Sequence, residues 1–146
     1  MPPITKPKRQ VNFVRIMLAG FIAGVSSAAI CMFYKLVYTH YTTFELEQYV
    51  NVYTVTLACM AGAMLAAMGY YALSRLMEKP QTLYVFVVFL LLCGSLLAPL
   101  SPTLPDETTA PEDFSLLTVP MHVLTGLVIT YLIPAIAGPP KLIYKR

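Results

Sequence analysis

His122 is the side chain in this sequence best suited to chemistry. It follows Pro120 and Met121 in the last apolar stretch, PMHVLTGLVITYLIPAIAG. About one turn into a membrane helix, a histidine can ligate haem or copper, or hydrogen-bond a quinone or lipid. A metal would need partners. His40, Met32, Cys31, Met60 and Cys59 are the side chains that the neighbouring stretches can bring to the same level, and they show no motif spacing. Ligand count therefore favours a histidine bonded to a neighbouring helix or to interfacial water, and no metal site is expected.

The remaining reactive residue types read as structure. Met60, Met64 and Met68 recur at i, i+4 and i+8. Thioethers favour Cu(I), but a methionine stripe at helical spacing is first a packing surface, because methionine fills irregular gaps. Cys31, Cys59 and Cys93 all fall within apolar stretches and match no paired metal or thioredoxin-type spacing. The acidic run DETTAPED lacks the spacing of a calcium loop. It reads as a solvated loop whose charge could also dock a basic extracytoplasmic partner. There is no glycine-rich phosphate loop and no HExxH pair. No reaction is legible, and no nucleic-acid partner is expected.

The elements that must position these residues follow from composition. Of 146 residues, 58% are hydrophobic and 12% charged. That is too little polar surface for a water-soluble enzyme, and too apolar for a disordered chain. An integral membrane protein remains. A helical crossing takes roughly 20 apolar residues, so four fit. The expected spans are residues 16–36, 50–76, 82–100 and 116–137, with outer loops at 37–49 and 101–115, in a single membrane domain, 1–146. The expected fold is an all-α, four-helix, up-down bundle. Tyr49, Tyr53, Tyr70 and Tyr71 bracket the second span like two aromatic belts, and Lys35 among Tyr34, Tyr38 and Tyr41 suits an interface. Pro120 stands near the start of the last span, where proline is tolerated. A cleaved signal peptide is the competing reading of the N-terminus. The apolar run past Ser27-Ala28-Ala29 favours a retained helix.

Orientation follows from the cations. Lys6, Lys8, Arg9, Arg15, Arg75, Lys79, Lys141, Lys145 and Arg146 fall on one side of such a bundle; Lys35 alone of the ten basic residues falls on the other. Both termini are thus expected in the cytoplasm. No charge falls near the middle of any span, which argues against ion pumps, proton-coupled transporters and voltage sensors.

Small residues recur at helical spacing: Gly20, Gly24 and Ala28 in the first span, Ala58, Gly62 and Ala66 in the second. Such ladders let backbones approach in lipid. They are expected to form a tight first hairpin, or else an oligomer interface.

The last helix, with Met121 and His122 at its opening and Pro134 near its exit, resembles uncharacterised small four-helix proteins of the bacterial inner membrane. The resemblance covers about the last quarter of the chain and implies that membrane but no reaction. The function expected is a non-enzymatic accessory or scaffolding subunit of a larger membrane assembly, with lipids and other membrane subunits as partners. The alternatives are a haem-, quinone- or lipid-binding protein with an outer-leaflet site at His122, or a small dimeric carrier.

Overall fold

The computed structural model describes residues 8–10, 12–42, 50–77, 79–100, 112–138 and 141–143. In chain order these form β1 (Lys8–Gln10), α1 (Phe13–Tyr41), α2 (Val52–Leu76), α3 (Pro80–Ser95), the single turn α4 (Leu97–Leu100), α5 (Glu112–Ala137) and β2 (Lys141–Ile143). Four segments, Phe13–Tyr41, Val52–Leu76, Pro80–Leu100 and Asp113–Ala137, are long and apolar enough to cross a membrane. Among the described residues the fold is helical apart from one short antiparallel ribbon.

Local chemistry sets the helix ends. Asn12 accepts the Arg15 amide at 3.2 Å and starts α1. Asn51 accepts the amides of Tyr53 and Thr54, while Thr54 Oγ1 accepts the Asn51 amide, each at 3.0 Å. This is a reciprocal cap that satisfies donors a helix start leaves orphaned. Pro80 opens α3, where its missing N–H is not needed. Gly138, at φ +68°, closes α5 in the left-handed region and donates its amide to Pro134 O at 3.0 Å.

Three features differ from the sequence reading. First, α1 continues to Tyr41, so residues 37–41 are helix rather than outer loop. Their polar groups are satisfied on or beside the helix: Tyr38 donates to Asp113 O at 3.2 Å and Thr39 to Lys35 O at 3.0 Å. Lys35 is buried, at 7% exposure.

Second, α5 begins at Glu112, so residues 112–115 are helical and Pro120 lies in the helix interior. Proline has no N–H for the carbonyl four residues back. Tyr34 of α1 donates its hydroxyl to that carbonyl, Leu116 O, at 3.1 Å. Third, β1 pairs with β2, aligning Lys8 with Ile143, Arg9 with Leu142 and Gln10 with Lys141. Beside the ribbon, Arg15 Nε donates to Ile136 O at 2.8 Å. Three-residue strands carry too short a pattern to be read from sequence.

The rest of the expected outer loops, 43–49 and 101–111, lies outside the described residues, as do residues 1–7, 11, 78, 139–140 and 144–146. Most of the acidic run and the cations Lys6, Lys145 and Arg146 fall there.

The wholly buried side chains of α1 and α2 are small, while Tyr84 of α3 and Leu117 and Ile133 of α5 supply large ones to the interior. Ala19, Ala23, Ser27, Ala63 and Ala67 are wholly buried, whereas Phe21, Phe33, Leu57, Leu65, Phe89 and Leu91 face outward. Small buried faces on α1 and α2, with large apolar side chains outside, suit a bundle surrounded by hydrocarbon. Phe13, at the start of α1, stacks edge-on against Tyr71, near the end of α2, with centroids 5.0 Å apart. Tyr70 of α2 meets Tyr84 of α3 in the same way, also at 5.0 Å.

Candidate functional site

The two small-residue ladders have different fates. A Cβ at Gly20 would stand 2.5 Å from Ala67 Cβ, and one at Gly24 would stand 2.7 Å from Met60 Sδ. The α1–α2 contact therefore falls on Met60, Ala63 and Ala67 of α2. Ala28 is buried on α1. Ala58, Gly62 and Ala66 of α2 instead border a cavity, and a Cβ at Gly62 would meet nothing within 4 Å. A small residue either admits a neighbouring backbone or leaves space, and the spacing is the same for both.

The cavity has a volume of about 640 Å³, within the range of small-molecule sites. Most of its wall is aliphatic, contributed by α2, α3 and α5. Cys31 is the lining residue from α1. The lining side chains that are buried, such as Cys31, Cys59, Tyr84 and Met121, form its back. The exposed ones are Thr54, Ala58, Leu65 and Gly69 of α2 and Val87, Leu91 and Ser95 of α3. The cavity thus opens sideways between α2 and α3, on a surface of exposed aliphatic residues.

His122 lines this cavity and is half-buried. Since α5 starts at Glu112, His122 lies ten residues into the helix rather than one turn, about 15 Å along its axis at 1.5 Å per residue. Its Nδ1 lies 2.9 Å from Thr118 O, one turn back. A carbonyl can only accept, so Nδ1 carries the hydrogen and the neutral ring keeps a lone pair on Nε2. That lone pair is what a haem iron, a copper ion or a hydroxyl donor would address.

At the back, three helices meet through polar side chains. Cys31 Sγ of α1 lies 3.4 Å from Thr125 Oγ1 of α5, and Cys59 Sγ of α2 lies 3.6 Å from the same oxygen. Cys31 Sγ also donates to Met121 O at 3.5 Å. Both thiols are free. Nothing in the spacing of Cys31, Cys59 and Thr125 announces this junction, because it depends on the rotation of three helices about their axes.

The structure therefore brings His122, Cys31 and Cys59 around one cavity. It leaves His40 apart, exposed and stacked on Tyr41 at 5.2 Å, and it packs Met60 beneath Gly24. Among the described residues, no three of His, Cys, Asp and Glu converge as metal ligands, and no charged side chain lines the cavity. No protein-family model, curated protein or solved structure matches the chain.

Proposed function

We propose that this chain is an integral protein of a bacterial cytoplasmic membrane that holds a lipid-soluble molecule in its lateral cavity, next to His122. One observation carries this reading: about 640 Å³ of mostly aliphatic space, open between α2 and α3. The arrangement proposed in the membrane is an up-down bundle with both termini in the cytoplasm. Nine of the ten basic residues on one side support it, as does the pairing of β1 with β2. The aliphatic wall is poorly matched to the polar cavity that a small dimeric carrier requires.

Gly62→Leu tests the proposal, because it fills the cavity where a side chain meets no neighbour. The wild-type chain, purified in mild detergent and extracted with organic solvent, is expected to release a stoichiometric lipophile detectable by mass spectrometry. Gly62→Leu is expected to release little of it while melting at a similar temperature. Equal lipid content in the two preparations would overturn the reading. A stoichiometric protein partner in place of a lipophile is the outcome that the accessory- or scaffolding-subunit reading expects.

A further inference from the structure

The polar atoms of the cavity wall share a polarity. Tyr84 donates its hydroxyl to Ile129 O at 3.3 Å, Ser95 to Leu92 O at 2.8 Å, and Thr118 to Phe114 O at 2.7 Å. Thr54 likewise donates to Asn51 O at 3.1 Å, and His122 commits its Nδ1 hydrogen to Thr118 O. Cys31 donates to Met121 O, and Thr125 is engaged with both thiols. Among the described lining residues, each hydroxyl, and the imidazole, has thus turned its hydrogen toward backbone or a neighbouring thiol. What these residues can offer an occupant is lone pairs.

His122 Nε2 is the clearest of these. The ring's hydrogen bond to Thr118 O is made by Nδ1, and His122 lines the cavity half-buried, so Nε2 is the ring nitrogen left for an occupant. Burying a ligand carbonyl here would leave it without a donor, whereas a ligand hydroxyl would find an acceptor waiting. The lack of cations among the described lining residues also disfavours a carboxylate or a haem with its two propionates.

We infer that the occupant is a neutral lipophile bearing a hydroxyl group, which donates its hydrogen to His122 Nε2. The inference rests on the reading of the cavity as a lipophile site and narrows it. Long-chain alcohols, sterol-like alcohols, phenols and the reduced form of a quinone satisfy it; the oxidised quinone, an acceptor only, does not. The cavity opens sideways onto exposed aliphatic side chains, so such a molecule can enter chain-first from lipid and leave its hydroxyl at the imidazole.

A matched pair of ligands tests this. Radiolabelled 1-hexadecanol and its methyl ether differ in the hydrogen they can donate. Saturation binding of each to the full chain in detergent at pH 8 gives the preference. The alcohol is expected to bind about tenfold more tightly, the worth of one hydrogen bond. In His122→Leu the two should bind alike, at a strength close to that of the ether in the wild type. His122→Gln, whose amide oxygen still accepts, should keep part of the preference. Equal binding of alcohol and ether by the wild type, or tighter binding of the ether, would overturn the inference and leave the lipophile reading standing. A preference that survives in a folded His122→Leu would also overturn it. If neither ligand binds, both fall.

Discussion

Pro120 and Tyr34 show how a residue-level defect is mended across helices. The proline frees Leu116 O from its helix, and the tyrosine hydroxyl of α1 takes its place. Tyr34→Phe should therefore cost about 0.5–1.5 kcal/mol, the net worth of one hydrogen bond at this exposed carbonyl. In a Pro120→Ala background the helix supplies its own N–H, and the same change should cost close to nothing. Thermal unfolding of the four proteins in one detergent gives the coupling energy; additive effects would show that the two residues act separately. At this scale His122 was legible as a lone titratable side chain in an apolar stretch. Its proton arrangement was not, because that depends on α5 starting at Glu112 and placing Thr118 O in a helical turn.

The helices themselves were legible wherever apolar length decides them, and their ends wherever a cap decides them. Helix rotation was harder to read, as the ladders show. A Cβ at Gly20 would meet Ala67 Cβ and Ala63 O, and one at Gly62 would meet nothing within 4 Å, yet both belong to small residues spaced by four. Gly20→Ala should destabilise the α1–α2 hairpin by about 1–3 kcal/mol, since a methyl group must displace Ala67 or spread the helices. Gly62→Ala should be neutral or stabilise by up to about 1 kcal/mol through helix propensity. Melting temperatures of the two variants distinguish contact from void. A loss at Gly62 equal to that at Gly20 would mean that α2 turns its small face to a neighbour.

For the whole molecule, charge asymmetry was the legible quantity, and it makes a prediction about sidedness. A fluorescent protein fused after Arg146 should fold and fluoresce in the cytoplasm. Alkaline phosphatase, which matures only outside it, should be active when fused within residues 43–49 or 101–111. The reverse pattern would invert the bundle. The cavity left no comparable trace in the sequence, because empty space belongs to no residue. It lies between α2 and α3, over Ala58, Gly62 and Ala66. Its sideways mouth changes what affinity means for this protein. A guest arriving between α2 and α3 never crosses water, so its supply is set by its mole fraction among neighbouring lipids and its search is confined to a plane. A site that looks weak by aqueous standards would stay filled by any lipid that makes up a sizeable share of its leaflet.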